Sequence, residues 1–213
     1  MRDIRATTLA AALLLAPTAA RPAGAGEVAV EGQAGYRKLA FENTAQALFD
    51  STSGGSFGGA LRYTFWRGAF VSAGFRTFSK DGERVFVASS TAPVQKLGFP
   101  LSLKIDSFPF MVGYRFRTGR LIVPYAAAGA SLAKYQETSA VAGESFDENV
   151  SKTGFVGAFG VEVGRGVFRF GAEAGYATVS GAIGNDGVSK VYGEDDIGGA
   201  YVVGKIVVAF GLK

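Results

Sequence analysis

A chain of 213 residues, 48% of them hydrophobic, is long and apolar enough for one domain with a substantial core, which excludes wholesale disorder. It contains no cysteine, so no disulfide holds the fold together, and no histidine, which removes His general bases, His metal ligands and His-activated Ser or Cys nucleophiles. The formal charge of +4 falls to +2 when residues 1–25 are set aside, because Arg2, Arg5 and Arg21 leave together with Asp3, and so small a charge does not argue for nucleic-acid binding.

The chain opens on the charged segment MRDIR, then the apolar stretch ATTLAAALLLA, Pro17 and the small-residue cluster TAARPAGAG, which is the layout of a secretory signal peptide. Residues 1–25 are therefore expected to be cleaved and residues 26–213 to form one domain. Beyond the leader no apolar run approaches the roughly 18 residues that a membrane-spanning helix needs. Apolar positions recur instead with period two, and 31 glycines argue against long helices. Eight alternating segments read as strands: 28–37, 56–65, 69–78, 107–116, 121–135, 153–163, 167–177 and 200–212. Three connections are tight and carry glycine, 66–68, 117–120 and 164–166, whereas 38–55, 79–106, 136–152 and 178–199 are long and polar. This alternation predicts an all-β, eight-stranded antiparallel up-and-down barrel with its tight turns at one end.

Parity sorts the strands into two faces. One face carries large residues, among them Val28, Tyr36, Phe57, Leu61, Phe75, Phe110, Leu121, Val123, Tyr125, Tyr135, Phe155, Phe159, Val161, Phe170, Val202 and Ile206, and no charge. The other carries at least one charge per strand, spaced mostly by Gly, Ala and Ser; Lys134 is assigned to it, with Phe70, Phe78, Met111, Ile122, Leu132 and Tyr201 as its larger apolar members. A water-facing surface would be crowded with polar side chains. A narrow interior needs small residues that leave room for a few long Arg and Glu side chains. The large set then faces hydrocarbon, where a closed barrel satisfies every backbone polar group. Phe65, Trp66, Tyr114, Phe116, Phe168 and Phe210 gather near the tight-turn end, as an interfacial girdle does.

The strings VPYAAAGASLAKY (123–135), GFVGAFGVEV (154–163), FRFGAEAGY (168–176) and AYVVGKIVVAFGL (200–212), taken in order with the leader and the loop alternation, resemble the small eight-stranded outer-membrane barrels that include OmpX and the transmembrane domain of OmpA. The resemblance covers essentially the whole mature chain. It implies a bacterial outer-membrane location, with the termini and tight turns in the periplasm and the long loops at the cell surface. One departure is the end Phe210-Gly211-Leu212-Lys213, where such chains usually finish on an aromatic residue read by the barrel assembly machinery.

The charged face supplies the candidate site: Glu31, Arg37, Arg62, Arg76, Arg115, Glu162, Arg169, Glu173 and Lys205, read as a structural network of ion pairs inside the lumen. If the turn after 163 centres on Arg165 and Gly166, Glu162 and Arg169 lie directly opposite one another. Reading Glu162 and Glu173 as a catalytic acid and base lacks any marked substrate cleft. The acidic segments GESFDEN (143–149) and GEDD (193–196) read as solvated loop charge, with a calcium or magnesium bridge to lipopolysaccharide as the alternative. No catalytic residue, cofactor or resident metal is expected. The expected function is a non-catalytic barrel with a structural or surface-interaction role and at most a narrow pore, since eight strands enclose only room for side chains. Alternatives are a barrel that carries small hydrophobic molecules, similar to the OmpW group, and a lipid-modifying barrel enzyme, although barrel enzymes of that kind rely on His. The expected partners are outer-membrane lipid, lipopolysaccharide and the barrel assembly machinery, with no nucleic acid, and the barrel is expected to be a monomer.

Overall fold

The computed structural model describes residues 26–116, 120–141 and 144–211, apart from the side chains of 140–141 and 144–146. The expected leader 1–25, most of the expected turn 117–120 and the last two residues lie outside them. Eight antiparallel strands close in chain order: β1 (Glu27–Leu39), β2 (Ser53–Thr64), β3 (Ala69–Phe86), β4 (Gln95–Arg115), β5 (Ile122–Val141), β6 (Glu144–Arg165), β7 (Phe168–Thr178) and β8 (Gly199–Gly211), with β8 pairing back onto β1. Turn chemistry sets the joins at one end. Arg67 and Gly68 both have positive φ (45° and 103°), and the Ala69 N–H donates to the Trp66 carbonyl at 2.7 Å, as a type I′ hairpin turn requires. Between β6 and β7, Arg165 pairs with Phe168, so the turn centres on Gly166 and Val167 rather than on Arg165 and Gly166. Glu162 consequently faces Gly171 across the ladder, and Arg169 faces Gly164, which corrects the direct opposition read from sequence.

Seven strands present the expected faces. Phe57, Phe110, Phe155, Phe159, Phe170 and Val202 are all exposed on the outside, and the girdle residues Phe65, Trp66, Tyr114, Phe116, Phe168 and Phe210 are exposed at the turn end. The fifth strand is inverted. Val123, Tyr125 and Tyr135 point inward and are buried, whereas Ile122 and Leu132 are exposed on the outer face, and Lys134 shares that parity. The cause is local: the run of alanines at 126–128 offers no size contrast between faces. Lys134 lies at the rim of the apolar band, directly across the β4–β5 ladder from Asp106, where a charge can face outward.

Strand lengths differ between the two halves of the wall. β1, β2, β7 and β8 have 13, 12, 11 and 13 residues, close to the roughly 9 to 11 that cross a bilayer. β3, β4, β5 and β6 have 18, 21, 20 and 22, so much of the expected loops 79–106 and 136–152 is sheet that continues beyond the membrane. Pairing of β6 with β7 starts only at Phe155, and residues 144–154 form a free edge. The edge is guarded by exposed polar side chains, Asp147, Glu148, Asn149, Ser151, Lys152 and Thr153.

The two remaining long connections fold inward. The β1–β2 connection holds α1 (Glu42–Phe49) and the β7–β8 connection holds α2 (Gly187–Tyr192). α1 docks on the inner face of the projecting sheet. Gly82 of β3 is essential to the fit, because a Cβ there would stand 2.3 Å from the Leu48 carbonyl oxygen and 2.4 Å from the Phe49 ring. The helix has no side-chain N-cap of its own; the Glu194 carboxylate accepts from the Asn43 and Thr44 N–H groups at 2.9 and 2.8 Å instead.

Candidate functional site: the barrel lumen

The inward parity of the strands brings the nine charged candidates into the lumen: Glu31, Arg37, Arg62, Arg76, Arg115, Glu162, Glu173 and Lys205 are buried, and Arg169 lies half-buried at the turn end. Glu27, one residue before the expected first strand, joins them. At the tight-turn end Glu27 accepts from Arg115 at 2.8 Å and from both terminal nitrogens of Arg169 at 2.9 and 2.5 Å. One level up, the fully buried Glu162 binds Arg62 with one oxygen and Arg115 with the other, at 3.0 Å, while Arg169 stands 3.6 Å away. Arg169 is therefore chiefly the partner of Glu27, and Glu162 that of Arg62 and Arg115. Arg62 also reaches Glu31 at 3.0 Å, and Lys205 bridges Glu31 and Glu173 at 2.6 and 3.0 Å. Alternation of cations and carboxylates along the axis lets charges withdrawn from water compensate one another, the condition under which burying them is tolerable.

Tyr125 and Tyr201 extend the network. Both hydroxyls donate to Glu173, at 2.7 and 3.2 Å, and the Tyr125 hydroxyl accepts from Lys205 at 2.9 Å. The facing glycines make this possible. A Cβ on Gly160 would lie 2.4 Å from the Tyr125 oxygen, and one on Gly175 would lie 2.4 Å from the Tyr201 oxygen. Above this level Arg76 donates to the Gln33 side chain at 2.9 Å, lies 3.4 Å from Glu173 and stacks 3.8 Å over the Tyr201 ring. Arg37 donates to the Ile197 carbonyl at 2.7 Å and to Ser107 at 3.4 Å.

The half of the lumen toward the long connections has a different content. Leu39, Phe41, Phe78, Leu103, Ile105 and Ile197 are almost wholly buried and pack with Ala45, Leu48 and Phe49 of α1 and with Val179 and Ile183 from the β7–β8 connection. Tyr135 belongs to this layer, and its hydroxyl donates to Glu137 at 2.5 Å. The mouth is therefore closed by an apolar core like that of a soluble domain. Two cavities of about 20 Å³ each, lodged lower in the lumen, have room for a single water apiece.

Chemically, the carboxylates of this arrangement are saturated. Each lumen carboxylate is bound by at least two donors, so none is left as an unengaged base, and among the described residues no group of three or more Asp or Glu is arranged to hold a metal ion. The acidic loop residues have structural work: Glu194 caps α1, and Asp196 accepts from the Val179 and Gly198 N–H groups at 2.6 and 2.7 Å. Sequence parity reached the charges within strands. It missed Glu27, which sits at the first residue of β1, and Tyr125, which was assigned to the wrong face.

Against known proteins, residues 6–191 match the model of the outer membrane protein β-barrel domain. No curated protein matches the chain by sequence. Among solved structures, the Yersinia pestis attachment invasion locus protein Ail, crystallised with the heparin analogue sucrose octasulfate, is similar at 19% identity and a TM-score of 0.50, covering 88% of this chain and 99% of Ail. OprG from Pseudomonas aeruginosa is similar at 10% identity and a TM-score of 0.51, covering 89% of this chain and 97% of OprG. A major outer membrane protein from Thermus thermophilus has 10% identity and a TM-score of 0.50, covering 87% of this chain and all of that one.

Proposed function

Because this chain belongs to the outer membrane protein β-barrel domain family and is an integral protein of the bacterial outer membrane, we propose that it serves there as a non-catalytic, closed barrel whose working part is the sheet that β3 to β6 raise above the membrane. The observation that carries this reading is the division of the wall: four strands end at the membrane, while the other four continue as a rigid platform buttressed by α1. A diffusion pore is at odds with a lumen filled by ion pairs below and by an apolar core above, with single-water cavities between. Adhesion or another surface contact fits a projecting sheet with a free, polar edge. Outer-membrane lipid and lipopolysaccharide surround the wall in this reading, the assembly machinery inserts it, and the barrel acts as a monomer.

The absence of native cysteine makes the test clean. Thr91→Cys, at the tip of the β3–β4 hairpin, should react with a membrane-impermeant maleimide on intact cells, and Arg67→Cys only after the outer membrane is opened. The reverse pattern overturns the orientation. In planar bilayers the purified protein should show no large stepwise conductance, and sugar-permeable channels would overturn the closed lumen.

A further inference from the structure

The lumen charges do not balance. Among the described residues six cations, Arg37, Arg62, Arg76, Arg115, Arg169 and Lys205, share the barrel interior with four carboxylates, Glu27, Glu31, Glu162 and Glu173. The close ion pairs, all at 3.0 Å or less, use all four carboxylates on Arg62, Arg115, Arg169 and Lys205. The two cations outside these close pairs are Arg37 and Arg76. Arg37 and Arg76 line the same cavity of about 20 Å³, together with Ser107, Ser131 and Tyr201, and no carboxylate is among its lining residues. Arg76 has only the 3.4 Å contact to Glu173, a carboxylate already held by Lys205 and two tyrosine hydroxyls, and its buried Nε has no hydrogen-bond partner. Arg37 donates to a backbone carbonyl and a hydroxyl; the nearby Asp196 carboxylate keeps its charge while one of its oxygens accepts from two backbone N–H groups, but it does not line the cavity. Two cations withdrawn from water beside one void, with only a long contact to the shared Glu173 and no carboxylate in the lining between them, are costly unless a negative charge joins them.

We propose that the cavity between Arg37 and Arg76 is a binding site for one small monovalent anion of the chloride class, taken up as the barrel closes. A water molecule fits the volume but compensates no charge, and a carboxylate-bearing anion such as gluconate is too large for it. The ion would complete the alternation of charge along the lumen and tie β1 and β3 to the Ser107 and Ser131 hydroxyls of β4 and β5.

The full mature chain refolded into detergent in sodium chloride, and separately in sodium gluconate of equal ionic strength, should differ in thermal midpoint. The chloride sample should be higher by about 2 to 4 °C at saturation, with a dependence that levels off as one site fills. Equal midpoints overturn the proposal. Arg76→Gln should abolish the chloride-specific rise while Lys134→Gln, on the outer face, should keep it; a rise that persists in Arg76→Gln also overturns it. Should Arg76→Gln fail to fold, crystals of the unaltered protein grown in bromide decide the matter, with one anomalous peak between the two guanidinium groups expected. No peak there means the cavity holds water, and the proposal fails.

Discussion

The two halves of the lumen are sealed by opposite means. The half at the tight-turn end is filled with paired charges and the half toward the long connections with aliphatic and aromatic side chains, part of them brought in by α1 and the β7–β8 connection. The difference teaches what each end must withstand. Below, only eight strands and three short turns are available, and long side chains from the wall itself must fill the bore, which an alternation of Arg, Lys and Glu does while fixing neighbouring strands to one another. Above, two connections of ample length supply chain that can be tucked inward, and a hydrophobic core forms as it would in water.

The largest test of this contrast is Glu162→Gln. It leaves Arg62 with Glu31 alone and Arg115 with Glu27 alone in a buried site and should cost up to about 3 to 5 kcal/mol, read from urea-dependent refolding equilibria in detergent. Adding Arg62→Gln should recover part of that loss, because one under-compensated buried charge disappears and Glu31 retains Lys205. Adding Arg169→Gln should recover less, since Arg169 is held mainly by Glu27. Recovery that is equal in both doubles would break the pairing described here.

Leu103→Ala addresses the upper half. Deleting a fully buried aliphatic side chain should cost about 2 to 5 kcal/mol of packing. The loss should appear as faster proteolysis around α1 at an unchanged barrel stability, whereas Glu162→Gln should weaken the barrel itself. Cooperative loss of the whole barrel in Leu103→Ala would mean that the two halves are one unit.

The outer wall gives the next contrast. Phe159→Arg places a charge on the exposed face near the middle of the apolar band and should cost about 2 to 4 kcal/mol, while Asn185→Arg in the β7–β8 connection stays in water and should cost little. Folding yields into micelles measure both, and equal yields would contradict the membrane orientation.

The smallest effect is expected in the projecting sheet, where Glu148 lies directly across the β5–β6 ladder from Glu137. Partial burial, together with the negative charges of Glu137 and Asp186, raises the Glu148 pKa above its ordinary value. A carboxyl whose pKa is higher folded than unfolded binds its proton more tightly in the folded state, so the hairpin gains stability as pH falls through that range and loses it as pH rises. The protection of β5 and β6 amides, measured relative to the intrinsic exchange rate at each pH, should accordingly rise between pH 7 and pH 5, and Glu148→Gln should flatten that dependence.

Period-two alternation and glycines at tight turns determined by themselves that this is an eight-stranded barrel, which of its ends carries the tight turns, and which faces of seven strands turn inward. They do so because burial on one face only must repeat with the pleat of a strand, whatever the partner. Tertiary structure alone decided the rest. The β6–β7 register turned on whether Gly166 opened or closed the two-residue turn, a shift of one position that reassigned Arg169 from Glu162 to Glu27. The face of β5 was not legible in a run of alanines without size contrast. The extension of β3 to β6 and the inward folding of α1 were hidden because polar loop composition describes exposure to water, and a sheet raised above a membrane, or a short helix capped by a distant Glu194, is wetted on one side just as a loop is.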